Sequence, residues 1–289
     1  MKLSVVGTGR LASGVLFCVT TTGSRNVTWT FDGATWSPAN EWAGKEVTAC
    51  CSVDEQIMCP ALGHFLYVVQ GGITACHRLP EEAEWIYGAC ELENRVVLMA
   101  GKRGLFFYDA SNGRIWRKGL VDFQVSKPGR IVNRICRSGS RVFLAGGKSL
   151  LVEFHGESAT ELLTRESLGG RELNIYQAAV CSGKIWASGT LGPSSFLAVL
   201  DNGREELVDC PMPGLRSPIL VTYRDKLLLA SDRILYGFPG AWQTLWEGDG
   251  NGIVGVMESS DRVKLCAVTY TGCSYLFDGS QWQRVPIFE

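Results

Sequence analysis

Six side chains with metal-binding chemistry crowd into one stretch: Cys50, Cys51, Cys59, His64, Cys76 and His77. Thiolates beside imidazoles are the ligands that zinc and copper prefer. Their spacing works against a shared ion. No Cys-x-x-Cys or His-x-x-x-His pair aims two ligands at one point, and neighbours on a strand face opposite ways, which separates Cys50 from Cys51 and Cys76 from His77. The stretch reads as core cysteines and rim histidines, with no metal and no cofactor expected. The chain has three histidines, and none sits in a motif that pairs it with a serine or cysteine nucleophile. A triad assembled from distant segments stays open, because such sites are defined by geometry. GTGRLASG near the N-terminus and GKRG at 101–104 lack the strand, glycine turn and helix of a phosphate loop, and read as hairpin loops.

Charge narrows the field further. The 28 basic and 29 acidic residues leave a formal charge of −1, which argues against a broad nucleic-acid surface. Five basic residues, Arg95, Arg141, Lys184, Lys226 and Arg262, each precede a strand-like run. They would form a ring on one face, and solvated turn positions explain them better than an anion site does. The N-terminal run MKLSVVGTGRLASGVLF is broken by Gly7, Gly9, Arg10 and Ser13 before a signal core forms, and no window approaches a membrane span. The odd count of eleven cysteines argues against a disulfide framework. A cytoplasmic, monomeric protein is expected.

The elements that must position these residues repeat. Asp32-Gly33, Gly71-Gly72, Asn112-Gly113, His155-Gly156, Asn202-Gly203, Pro239-Gly240 and Asp278-Gly279 each stand between a pair of strand-like runs, and their second glycines recur every 37–47 residues. That is the period of a four-stranded propeller blade. Asn-Gly and Asp-Gly between such runs are strong hairpin signals, since both central residues of a type I′ turn need positive φ. The expected fold is all-β: a single closed propeller over residues 1–289, seven blades preferred, with six or eight as alternatives. The blades are expected at about 1–41, 45–80, 85–121, 130–167, 173–211, 217–248 and 251–289. Cys51, Cys90, Cys136 and, nearly, Cys181 recur at one place in this frame, and Cys18 and Cys266 are expected to share another. Such repetition suits small apolar residues filling equivalent core space.

Three turns carry a shared phrase, FDGATW at 31–36, SNGRIW at 111–116 and FDGSQW at 277–282. This Gly-x-x-Trp hairpin resembles the turn of Asp-box (BNR-like) propeller repeats, found in sialidase-like and photosystem-assembly-type propellers. The resemblance covers three turns strongly and implies fold rather than chemistry. Of the Ser or Thr that the full box places two residues before the Asp, Thr30 fits, and the sialidase arginines are not recognisable.

On a rigid propeller, function gathers in loops. The b–c loops and interblade links supply Arg103, Tyr270, the Glu81/Glu82 run, the Lys127/Arg130 pair and Arg171. Trp42, in the polar link NEWAGK, reads as an interface anchor. Patches of opposite sign in adjacent links suit a protein partner. Arg134 lies in the inner strand IVNRICR, where a buried guanidinium needs either a carboxylate such as Glu91 or a wet channel with Asn133 and Gln177. The expected function is non-catalytic protein binding, as an adaptor, assembly factor or immunity-type inhibitor. The alternative is a hydrolase or lyase acting on a sugar-like substrate at the channel mouth.

Overall fold

The computed structural model describes residues 3–119, 130–156, 158–163, 171–211, 218–231, 235–238, 242–247, 250–259 and 264–288. These residues form seven four-stranded sheets, over 4–43, 51–78, 86–118, 132–161, 174–208, 219–246 and 253–286. In each sheet the strands lie side by side in chain order, labelled here a to d. Most b and c strands are dominated by buried apolar residues, as in VVLMAG (Val96–Gly101) and GLFFYD (Gly104–Asp109). The d strands alternate or lie open, as in Ile73–Arg78. Strand a carries a bulge in several sheets, between Val5 and Gly7, Val132 and Arg134, Ile175 and Gln177, and Ile253 and Gly255. The result is an all-β propeller built of four-stranded blades.

The chain divides into two compact units, Met1–Arg117 with Asn251–Glu289, and Lys118–Gly250. In the first, the seventh and first sheets share a core around Leu16, Phe31 and Val268. The first and second meet at Phe17, Val47 and Ile57, and the second and third at Met58, Leu66 and Phe106. In the second unit, Phe143 and Ala187 join the fourth and fifth sheets, while Trp186 and Leu229 join the fifth and sixth.

The c–d turns use two chemistries. Asn202 and Gly203 both have positive φ, +49° and +78°, as a type I′ turn requires. The Asp-Gly turns differ from that expectation, since only the glycine is left-handed there (Gly33 +104°, Gly279 +106°). The aspartate closes the turn instead. Asp32 Oδ1 accepts the Ala34 and Thr35 amides at 2.8 and 2.7 Å, and Asp278 Oδ1 accepts those of Ser280 and Gln281 at 2.8 and 2.9 Å. These bonds pull the Asp278 carboxyl down to about 2. Gly240 lies outside the described residues.

All eleven cysteines are free thiols. Cys51, Cys90 and Cys136 hold one register, opposite Met58, Leu98 and Phe143, while Cys181 sits further along, opposite Lys184 beside the a–b turn. Cys18 and Cys266 do not share a site. Counted from the bulges, where Gly7 opposes Val19 and Gly255 opposes Val268, they differ by one residue. A one-residue shift reverses the face, so Cys18 of the first sheet and Cys266 of the seventh both enter the core between those sheets.

Two expectations for single residues are also corrected. Trp42 is not in a link: the first sheet's d strand runs Trp36–Ala43, past the expected edge, and carries the indole into the core. Lys45 donates its amide to the Tyr67 hydroxyl and Asn26 Nδ2 donates to the Lys45 carbonyl, which draws the segment inward. Arg134 is exposed rather than buried, because the bulge at Asn133 re-aims the strand just before it.

Candidate protein-binding face

The segment from Leu79 to Trp85 joins the second and third sheets. Leu79 and Ala83 are fully buried beside Ile86, and their amides are tied to the carbonyls of His64 (2.7 Å) and Pro80 (2.9 Å). Because these apolar residues take the inward places, Glu81, Glu84 and Trp85 must face out. Trp85 is 50% exposed. Its carbonyl lies over Gly101, the last residue of strand b, where a Cβ would stand 2.8 Å away. Gly146 and Gly189 hold the same place beneath the carbonyls of Ile131 and Asn174.

Arg117, on the third sheet's d strand, ties this link to the b–c turn. Its guanidinium pairs with Glu82 at 3.3 Å and donates to the Arg103 carbonyl at 2.6 Å. Around Trp85 this leaves exposed carboxylates on Glu81 and Glu84, and exposed cations on Lys102 and Arg103. None of these four charges has a partner among the described residues. The surface is an aromatic on a pinned backbone, with charges of both signs around it.

The structure thus brings together Glu81, Glu82 and Arg103 of the expected site residues. Tyr270 is 51% exposed in the seventh sheet's b–c turn, its amide bonded to the Gly252 carbonyl at 2.9 Å. Trp42 drops out, packed on Tyr67 with ring centres 5.7 Å apart. Arg130 drops out as a surface charge too: its side chain is 2% exposed and pairs with Glu161 at 2.6 Å. A guanidinium so close to the sheet core is held by its carboxylate, which explains the burial. Lys127 lies outside the described residues. Arg171 is exposed, and its carbonyl accepts the Ser149 hydroxyl. Trp85 was missed because the expected third blade began at 85, which made it the first residue of an inner strand, whereas the strand starts at Ile86. The available signal was the small apolar pair Leu79 and Ala83, which anchors the link and turns the tryptophan outward.

The basic residues of the a–b turns are mostly neutralised. Arg95 pairs with Asp54 (2.9 Å), Arg141 with Glu153 (2.5 Å) and Lys184 with Asp201 (2.9 Å), while Arg262 lies outside the described residues. On the same edge of the first and seventh sheets, a cleft of about 330 Å³ opens among Leu16, Phe31, Asp32, Lys264 and Leu276. Among the described residues that line it there is no histidine and one carboxylate, Asp32, which its own turn already engages.

No protein-family model matches the chain, and no curated protein does. Solved structures do. The computationally designed Ika8 protein superposes with a TM-score of 0.67 at 14% identity, over 98% of this chain and 87% of that one. Sqt1 of Saccharomyces cerevisiae gives 0.66 at 13% identity, over 97% and 84%. The extracellular domain of the putative hybrid two component system BT3049 from B. thetaiotaomicron gives 0.66 at 11%, and this chain spans 40% of that one. At these identities the likeness carries the fold alone.

Proposed function

We propose that this chain is a non-catalytic protein-binding propeller that engages its partner through the b–c side of the third sheet, centred on Trp85. The observation that carries this reading is an exposed indole on a backbone held by Leu79, Ala83 and Gly101, flanked by charges of both signs that have no partner among the described residues. Aromatic anchors dominate interface energetics, and mixed flanking charge selects a partner and sets its orientation. An adaptor, an assembly factor and an immunity-type inhibitor all fit this surface. The reading takes each of the seven sheets as one blade, with Asp-box-like turns at Asp32 and Asp278, whose carboxylates cap the turn amides. It places the protein in the cytoplasm, where eleven free thiols persist.

The test is affinity capture from the native host, followed by titration of the captured protein against variants. Trp85→Ala is expected to weaken binding by about tenfold or more with an unchanged melting temperature. Undiminished binding by that variant overturns the reading.

A further inference from the structure

We infer that the second sheet's d strand, Ile73–Arg78, pairs antiparallel with the same strand of a second copy of this chain, which sets aside the expected monomer. An edge strand leaves one row of N–H and C=O groups unpaired, and proteins guard such rows with charge, proline, bulges or short length. Each of the other six d strands has one of these devices. Pro38 and Pro286 stand in those of the first and seventh sheets, and Lys118 ends the third. The fourth is three residues long, Glu205 and Glu206 lie in the fifth, and the sixth pairs with a register shift. Ile73–Arg78 runs six residues in unbroken register, with no proline and no Lys, Arg, Asp or Glu before Arg78. Ile73 is 73% exposed, and Ala75, Cys76 and Arg78 are exposed as well.

Ladder parity fixes how two copies meet. The Leu79 amide donates to the His64 carbonyl at 2.7 Å, and the two-residue Gly71-Gly72 turn closes on Gln70 and Ile73. Inward-bonded residues alternate along an antiparallel strand, so Ile73, Ala75 and His77 bond to the c strand. Thr74, Cys76 and Arg78 then aim their backbone groups at the open edge, where they meet no partner among the described residues. Pairing centred on Cys76 sets that residue against its own copy and Thr74 against Arg78 of the copy. Every outward donor then meets an outward acceptor, and the contact closes as a two-fold dimer. Charge favours the copy in this direction: the two Arg78 residues fall four positions apart, about 13 Å, beyond the screening length. The strand is already held for pairing from both faces. Asn40 of the first sheet donates to Thr74 Oγ1 at 2.6 Å, and the Tyr108 hydroxyl of the third lies 3.3 Å from His77 Nε2. All three sheets belong to one compact unit, and association loses little further chain freedom. Trp85 lies outside the strand, so the inference does not depend on the proposed partner surface.

The experiment is sedimentation of the full chain from about 1 to 300 µM with a reductant present, so that no disulfide contributes. A short interface of this kind is expected to take the chain from monomer to dimer within about that range. Cys76→Lys sets two ammonium groups against each other at a Cα spacing of about 5.5 Å and should weaken the dimer at least about tenfold. Cys76→Ser should keep it, and neither variant should alter the melting temperature. With the reductant removed, a short bismaleimide should cross-link two native chains and leave Cys76→Ser chains single. Trp85→Ala should dimerise like the native chain. The inference is overturned by a chain that stays monomeric at about 300 µM, which would leave the edge to a strand of another protein. A dimer undiminished in Cys76→Lys, or one that gives no cross-link through Cys76, overturns it equally.

Discussion

The carbonyl of Trp85 crosses Gly101 so closely that a Cβ on that glycine would stand 2.8 Å from it. The contact holds the link to the end of strand b and fixes where the indole emerges. It recurs at Gly146 beneath Ile131 and at Gly189 beneath Asn174, so it is a property of the repeat. The glycine is required by the crossing carbonyl rather than by its own φ.

Gly101→Ala should therefore destabilise the protein by about 1–3 kcal/mol, since the crossing carbonyl must move. Gly147→Ala is the control, because its Cβ would meet Asn174 Oδ1 at an ordinary 3.4 Å. Urea melts of the two variants make the comparison. Equal midpoints would show that the crossing is not tight.

Arg130 and Glu161 should matter more than a surface pair of similar length. Both Arg130–Glu161 and Arg25–Glu41 measure 2.6 Å, yet the Arg130 side chain is 2% exposed and the Arg25 side chain 57%. Glu161→Gln removes a carboxylate that pairs with a buried guanidinium and is expected to cost about 2 kcal/mol or more. Glu41→Gln, in a solvent-exposed pair, should leave stability nearly unchanged. Denaturant midpoints of the two variants are the measurement.

Burial pushes the Cys50 and Cys266 thiols up to about 12 and Cys136 to about 11. An unfolded thiol titrates near the ordinary value of 9.0, so above that pH the unfolded chain has lost protons that the folded chain keeps. Stability is then whole below pH 9 and falls as pH rises towards 11–12. Melting temperatures between pH 7 and pH 10.5 should decline above 9, and a Cys266→Ala/Cys50→Ala variant should decline less steeply. In the same native protein Cys76, the one exposed thiol, should react first with a thiol reagent.

Gly203→Val should destabilise by about 1–3 kcal/mol, because a β-branched residue at φ +78° is strained. Asn202→Ala, at φ +49°, should cost less than the valine change, although alanine too is disfavoured there. A melting temperature unchanged by the valine would remove the type I′ assignment.

Much of the frame was legible in the chain because it rests on local chemistry. The Asn202-Gly203 hairpin, the apolar b strands and the recurrence of Cys51, Cys90 and Cys136 need only turn preference and alternation to be read. Cys18 and Cys266 show where that reading stops. Their surroundings, LFCVT and KLCAV, look alike, but the bulges opposite them set the register, and a bulge in a partner strand leaves no mark in these five residues.

Sequence by itself determined that this is a repeating four-stranded β architecture, since hairpin turns and strand periodicity are encoded within a few neighbouring residues. Only tertiary structure decided which aromatic meets solvent. Trp42 and Trp85 both stand among polar and charged neighbours, and either could serve as an anchor. Trp42 is drawn under by Tyr67, Asn26 and an extended d strand, whereas Trp85 is turned out because Leu79, Ala83 and Ile86 have already filled the core beneath it. Competition for inward positions is settled between segments distant in the chain, so no local pattern can carry its outcome.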